Sequence, residues 1–246
     1  MQTFEGDNTV MLQQSSRYLF KLIKRQAKGK KLEAPFEYIN ELEDLLATNF
    51  ICLGTTPEHF MNLTNLDEAL KVKTCFILKT VFTAYMESQA PEKIKANELF
   101  AHEVNDMARQ HLKYVAFSTF LTKIREHKFK DPNIMPHLEL IAKVFALNEL
   151  TTDCQQCFAA GYFSDKIHYV NLQEAYKQAL KQLRPLMIPL SETPYIPDSQ
   201  LNSAIGNEWG DIYNIQLETA KQSTLGNKIP DYYKEYMEPV LKAPKL

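Results

Sequence analysis

The chain has 246 residues, 45% of them hydrophobic and 24% charged, with a formal net charge of −2 at pH 7. That near balance lacks the basic excess that would mark nucleic acid or an anionic membrane as the main partner, while the apolar share is enough to bury a sizeable core. Only seven glycines and long proline-free stretches favour helices over a turn-rich β fold. The opening residues carry neither the positive start nor the apolar run of a secretory signal, and no stretch reaches the ~18 apolar residues of a membrane span. The expectation is a chain that stays inside a cell. Cys52, Cys75, Cys154 and Cys157 are too few and too scattered for a disulfide scaffold and read as reduced thiols. Asn62-Leu63-Thr64 is formally a glycosylation sequon that such a compartment leaves unmodified.

In chain order, the first predicted helix runs from Asp7 to Lys28, with Asp7 or Asn8 as its cap and Gly29 as its stop. From Lys30 to Asn62 the pattern weakens. Pro35 and Pro57 act as breakers around one short amphipathic piece, Phe36 to Ala47, and a boundary is placed near Asn65. Leu66 to Ser88 has apolar residues on nearly every face, which suits a helix buried inside a bundle. A second long helix is predicted from Pro91 to about His127, with Ile94, Ala101, Val104, Ala108, Leu112, Val115 and Thr119 along its buried stripe. Helices near Pro136 to Leu147, Asp153 to Phe163 and Asn171 to Arg184 complete a compact set. Pro185 to Pro197 breaks the pattern, and shorter helices follow at Ser199 to Ile205, Asp211 to Ser223 and Asp231 to Leu241. The fold class is all-α, without internal repeats.

Few constellations promise chemistry. Lys21, Lys24, Arg25, Lys28, Lys30 and Lys31 form the densest basic cluster. It reads first as a solvated face whose charges suit the negative end of a helix dipole, and second as a phosphate contact, for example to coenzyme A. Cys154-Gln155-Gln156-Cys157 has redox or zinc-ligand spacing, yet no second cysteine pair follows and no strand precedes it, so it reads as helix packing. The six histidines are dispersed and no metal site is expected. His111, on the apolar stripe, reads as a hydrogen-bonded core histidine. The lone Trp209 reads as a packing anchor between short helices.

Phe4-Glu5-Gly6-Asp7-Asn8-Thr9 stands apart. As an isolated pattern it reads as a capping loop. Yet it holds a carboxylate just outside a helix N-terminus, beside a glycine that lets a flat ligand or thioester approach the backbone. A base working next to a carbonyl needs such rigid placement, and burial by bound ligand raises its pKa toward working pH.

At these residues the sequence resembles a known family. Thr3 to Gln13 looks like the segment with which acyl-CoA oxidases present their catalytic base. Phe36-Glu37-Tyr38-Ile39-Asn40-Glu41-Leu42 resembles the linker of that family. Ala204-Ile205-Gly206-Asn207-Glu208-Trp209-Gly210-Asp211-Ile212-Tyr213 resembles its late turn, and Ala220 to Asn227 also fits. The resemblance implies the last helix of a first four-helix bundle followed by a second helical bundle: residues 1–29 as catalytic-glutamate segment and last helix, 30–64 as connector, 65–246 as the C-terminal helical domain. It implies that Glu5 takes the α proton of a fatty acyl-CoA while a hydride leaves the β carbon for FAD, giving a trans-2-enoyl-CoA. Oxygen then reoxidises the flavin and yields hydrogen peroxide. Glu5 and Gly6 would contact substrate, the Glu5 amide would polarise the thioester carbonyl, and Asp7 and Asn8 would line the flavin edge.

The terminal Pro244-Lys245-Leu246 resembles the peroxisomal Ser-Lys-Leu address, with Lys242 just upstream; proline departs from the small residue usual there. The implied location is the peroxisome, and the implied partners are fatty acyl-CoA, an import receptor, and either a second copy or the flavin-binding portion. In the family a helical domain, a β-barrel domain and the earlier helices of the first bundle precede this segment. The expectation is therefore a fragment, a separately encoded half or a truncated product, inactive when isolated. A first bundle lacking partners further predicts a poorly anchored first helix exposing Leu12, Leu19 and Leu22. The alternative function is a non-enzymatic helical module that dimerises or docks onto a full-length oxidase.

Overall fold

The computed structural model describes residues 7–47, 50–201, 203–206, 210–223 and 228–242, and no strand occurs among them. The chain divides into two units, Met1–Leu186 and Met187–Leu246. Glu5, Gly6, Trp209 and Pro244-Lys245-Leu246 lie outside the described residues.

In the first unit, α1 (Asn8–Gln26) starts where Asp7 leaves the helical region and its carboxylate accepts the Thr9 N–H at 2.8 Å. It ends at Gln26 with Ala27 as its C-cap, and the turn that follows closes at Gly29, whose φ of 75° a side chain would resist. Leu12, Leu19, Leu22 and Ile23 are buried, and Leu19 is only 1% exposed. This corrects the expectation that Leu12, Leu19 and Leu22 are exposed. α1 packs along α6 (Ala101–Glu126), and Phe20 meets Phe82 and Tyr85 of α4 (Leu63–Glu87) at 5.6 and 4.9 Å between ring centroids. At roughly 1.5–3 kcal/mol per buried aliphatic side chain, this face holds the helix against α6 and α4.

The connector between α1 and α4 holds a 3-10 turn (Glu37–Glu41), α2 (Leu42–Leu45) and α3 (Pro57–Phe60). Tyr38, Ile39, Leu42 and Leu45 are buried, so the connector is part of the core. Asn62 caps α4 by accepting the Thr64 N–H at 2.8 Å. Leu66, Leu70, Val72, Cys75 and Leu78 are at most 1% exposed, in keeping with a helix surrounded by others.

The second long helix is not continuous from Pro91. α5 (Glu92–Ile94) passes into a π-helical turn, Lys95–Leu99, before α6 begins. The wider turn, closed by the Phe100 N–H on the Lys95 carbonyl at 2.9 Å, brings the Phe100 ring within 5.5 Å of Tyr85. It also resets the phase of the helix. The buried stripe runs through Val104, Met107, Ala108, His111, Tyr114, Phe117 and Leu121, whereas Thr119 is exposed.

α7 (Ile134–Thr152), α8 (Gln155–Ala159) and α9 (Lys166–Leu183) close the unit. α9 starts five residues earlier than expected, because Asp165 accepts the Ile167 N–H at 2.8 Å while the Asp165 N–H reaches His168 Nδ1 at 3.3 Å. One hydrophobic core runs from Leu19 to Ala179.

The second unit contains α10 (Met187–Glu192), α11 (Asp198–Leu201), α12 (Ile212–Gln222), a π-helical turn (Tyr233–Met237) and α13 (Glu238–Lys242). None of its described residues is buried. Ile188, Tyr195, Tyr213 and Val240 are 73% exposed or more.

Candidate functional site

The candidate segment ends in Asp7 and Asn8, which the structure places at the N-terminus of α1, both exposed. The two helix-capping bonds of Thr9 hold the Asp7 carboxyl below the usual carboxylate range. Farther along α1, the buried Ser16 hydroxyl faces the Leu12 carbonyl at 2.9 Å and the Val104 carbonyl of α6 at 2.5 Å. Its single proton is shared between a bond within the helix and one to its neighbour. Cap, apolar face and serine together start α1 at Asn8 and hold it against α6.

Two clusters of titratable groups lie elsewhere in the first unit. Tyr38 Oη and His111 Nδ1 are 2.7 Å apart, and Phe36 stacks on the imidazole at 5.4 Å. Burial lowers the His111 pKa to about 4, so the ring is neutral at physiological pH. His111 is thus the hydrogen-bonded core histidine that the sequence suggests. Lys73, fully buried in α4, donates to the Glu149 carbonyl at 2.7 Å and reaches Asp153 at 3.4 Å. Desolvation depresses its pKa, partly offset by Asp153. Glu149 in turn pairs with Lys113 at 2.7 Å.

A third cluster lies in the connector. Cys52 Sγ is 3.6 Å from His59 Nε2 and accepts the Gly54 N–H at 3.4 Å. The Asn65 amide donates to the His59 carbonyl at 2.9 Å and sits 3.1 Å from His59 Nδ1, which makes Nδ1 the acceptor and leaves Nε2–H facing the sulfur. Tyr162 donates to Glu68 at 2.7 Å. Burial pushes the Cys52 thiol up and drives Cys75 and Cys157 up to about 12. All three are neutral thiols at pH 7, not nucleophiles. Cys154 and Cys157 flank the start of α8, with Cys157 fully buried, as expected for packing residues.

A cleft of about 340 Å³ is lined by Tyr38, Asp67, Lys71, Tyr114, Thr122 and Arg125, among others. At its rim Lys71 pairs with Glu41 at 3.1 Å. A smaller apolar cleft, about 210 Å³, lies among Phe117, Phe120, Ile141 and Phe145. Neither takes a lining residue from α1. No group of three or more His, Cys, Asp or Glu among the described residues could hold a metal ion, and no described helix is long and apolar enough to cross a membrane.

The residues around Asp7 and Asn8 do not by themselves fit a flavin. The Asp7 carboxylate is an anion already engaged as a helix cap, unsuited to a pyrophosphate, and the described part of the segment encloses no seat for a flat ring.

Residues 62–242 match the family model described as acyl-CoA oxidase. An acyl-coenzyme A oxidase of Debaryomyces hansenii is 24% identical over 246 residues, which is 99% of this chain and 33% of the relative. The peroxisomal acyl-coenzyme A oxidase 1 of Cavia porcellus is 23% identical over 245 residues, covering 97% and 36%. Among solved structures, an acyl-CoA oxidase from tomato superposes with a TM-score of 0.83 at 22% identity over 98% of this chain and 36% of its own. Acyl-CoA oxidase 1 of Arabidopsis thaliana also gives 0.83, at 22% identity over 97% and 36%. The chain belongs to the acyl-CoA oxidase family. It spans about a third of the length of the relatives it matches.

Proposed function

We propose that this chain is the carboxy-terminal part of an FAD-dependent acyl-CoA oxidase, converting fatty acyl-CoA to trans-2-enoyl-CoA with reduction of oxygen to hydrogen peroxide in peroxisomal β-oxidation. The family match over residues 62–242 supports the assignment. The observation that supports the catalytic part is the capped start of α1: Asp7 caps it, Ser16 ties the helix to α6 two turns on, and Glu5 and Gly6 precede the cap in the sequence. From there the Glu5 carboxylate takes the α proton, Gly6 leaves room for the thioester, and the Glu5 N–H polarises its carbonyl.

A solved acyl-CoA oxidase-1 of Caenorhabditis elegans is described as complexed with FAD and ATP. FAD, when bound, would accept the hydride. Here it would be held by a flavin-binding portion, with Asp7 and Asn8 at the flavin edge, and the division into residues 1–29, 30–64 and 65–246 belongs to the same reading. So do the Pro244-Lys245-Leu246 terminus as address for a peroxisomal import receptor, and pairing with a second copy. Purified chain given FAD and palmitoyl-CoA is expected to make no peroxide. Assembled with a flavin-binding portion it should turn over, and Glu5→Gln should abolish that turnover. An assembly equally active without the Glu5 carboxylate would overturn the catalytic assignment.

The exposed apolar side chains of residues 187–242 favour one alternative. In it the chain is a non-enzymatic module that dimerises or docks onto a full-length oxidase, and Glu5 has no catalytic role.

A further inference from the structure

We infer that Cys154 and Cys157 are a peroxide-oxidised dithiol, a pair that closes to a disulfide within one turn of backbone when hydrogen peroxide reaches Cys154. Asp153 leaves the helical region at the end of α7, with φ −128° and ψ 44°. The chain re-enters a helix through a tight turn, in which the Gln156 N–H donates to the Asp153 carbonyl at 3.2 Å and the Cys157 N–H to the Cys154 carbonyl at 3.0 Å. The Phe158 N–H reaches the same Cys154 carbonyl at 3.3 Å, so the bond that spans three residues is the shorter. The turn therefore has 3-10 character, and in such a turn side chains three apart eclipse one another. Its end Cα atoms stand less than about 7 Å apart, against the roughly 4.4–6.8 Å that a disulfide spans. The other two cysteines are engaged elsewhere. The Cys75 sulfur, in the middle of α4, lies 3.9 Å from the Tyr38 carbonyl, and Cys52 faces His59 and the Gly54 N–H.

The two thiols divide the work. Cys154 is the one cysteine of the four that is not buried, so it meets the oxidant first. No open surface is required, because hydrogen peroxide is only slightly larger than water and a single sulfur has to be met. Cys157 is fully buried; burial pushes its thiol up to about 12, and the charge of Lys73 opposes that rise. It therefore stays reduced until a sulfur is presented to it across the turn. In the first step the Cys154 sulfur gives an electron pair to one peroxide oxygen, the O–O bond breaks, and the departing hydroxide takes the thiol proton as water, leaving a sulfenic acid. In the second the Cys157 sulfur attacks the Cys154 sulfur, the S–S bond forms as the S–O bond breaks, and the hydroxide leaves with the Cys157 proton as a second water. Two thiols lose two electrons and two protons to one peroxide, which becomes two waters. Only the source of the oxidant rests on the oxidase reading above, in which hydrogen peroxide is a product.

The test treats the reduced full chain with a few equivalents of added hydrogen peroxide, so that its outcome is separate from whether any assembly turns over acyl-CoA. Mass mapping without reductant should find the peptide carrying both Cys154 and Cys157 lighter by two hydrogen atoms, and dithiothreitol should restore it. Cys157→Ser should halt Cys154 at the sulfenic acid, trapped by dimedone. Cys154→Ser should lower oxidation of Cys157 about tenfold or more, because its buried thiol then meets no activated sulfur. Equal dimedone labelling in the two variants overturns the inference. So does a disulfide that takes in Cys52 or Cys75, or passage of Cys154 to sulfinic acid with no link formed. Should a serine variant not fold, the mapping of the natural chain decides alone: a Cys154–Cys157 link upholds the pair, and its absence after peroxide treatment overturns it.

Discussion

Lys73 Nζ lies 2.7 Å from the backbone carbonyl oxygen of Glu149, so a charged side chain in the middle of α4 closes the last turn of α7. Helix C-termini present unpaired carbonyls with partial negative charge, and a buried ammonium there answers both needs. Lys73→Met keeps most of the stem packing but leaves that carbonyl without its donor. The chain should lose about 1–3 kcal/mol of unfolding free energy, read as a lower denaturant midpoint at unchanged slope. An unchanged midpoint would mean the bond adds nothing to stability.

His111 makes stability depend on pH. Its folded pKa of about 4 lies below the 6.5 of the free side chain, so the unfolded chain binds its proton more readily. Stability from this residue is therefore complete above pH 6.5, declines as pH falls, and is gone below about pH 4. The amount is on the order of 3 kcal/mol. His111→Gln, which still offers Tyr38 a hydrogen-bonding partner, should flatten the stability profile between pH 4 and 6.5. A profile as steep as that of the natural chain would assign the acid sensitivity to other groups.

The packing of α1 sets an expectation for hydrogen exchange. With Leu12, Leu19 and Leu22 buried and Ser16 bonded to α6, amides in the middle of α1 should be protected to nearly the degree of those in α4. Leu19→Ala should cost about 2–5 kcal/mol and Ser16→Ala about 1 kcal/mol. Fast exchange throughout α1 in the natural chain would show that the apolar face is not held.

Gly54 is required by close approach, not by backbone conformation. A Cβ there would stand 2.2 Å from His59 Cδ2, and the imidazole cannot swing away without giving up Asn65 and Cys52. Gly54→Ala should destabilise by about 1–3 kcal/mol. Adding His59→Ala should remove most of the further penalty of the alanine, a coupling visible in a double-mutant cycle.

Much of the helical layout was readable because it follows from periodicity and caps. Leu66 to Ser88 is apolar all round, and α4 occupies Leu63–Glu87 with Asn62 as cap; His111 lay on an apolar stripe and is buried with a hydrogen bond. The misses have physical causes. The π-helical turn at Lys95–Leu99 shifts the phase of α6 by a step that a fixed 3.6-residue period cannot register. The early start of α9 depends on Asp165 and His168 exchanging bonds, and His168 replaces the Glu or Gln by which a capping box is usually read. Lys73 is not legible, because in Leu70-Lys71-Val72-Lys73 nothing local distinguishes the half-buried lysine from the fully buried one. The burial of α1 is hidden from the sequence for a related reason: periodicity shows that a face is apolar, but not that α6 is there to meet it. For the candidate site, the cap at Asp7 was legible, whereas Ser16 and its bond to Val104 join residues far apart in sequence that no local pattern links.

With none of the described residues among 187–242 buried, those helices have little to lose on heating. Calorimetry of the chain should register one cooperative heat uptake belonging to α1 through α9, with the later helices fading gradually alongside it. A protease added at mild temperature should trim that stretch back toward Leu186 long before it cuts between α1 and α9.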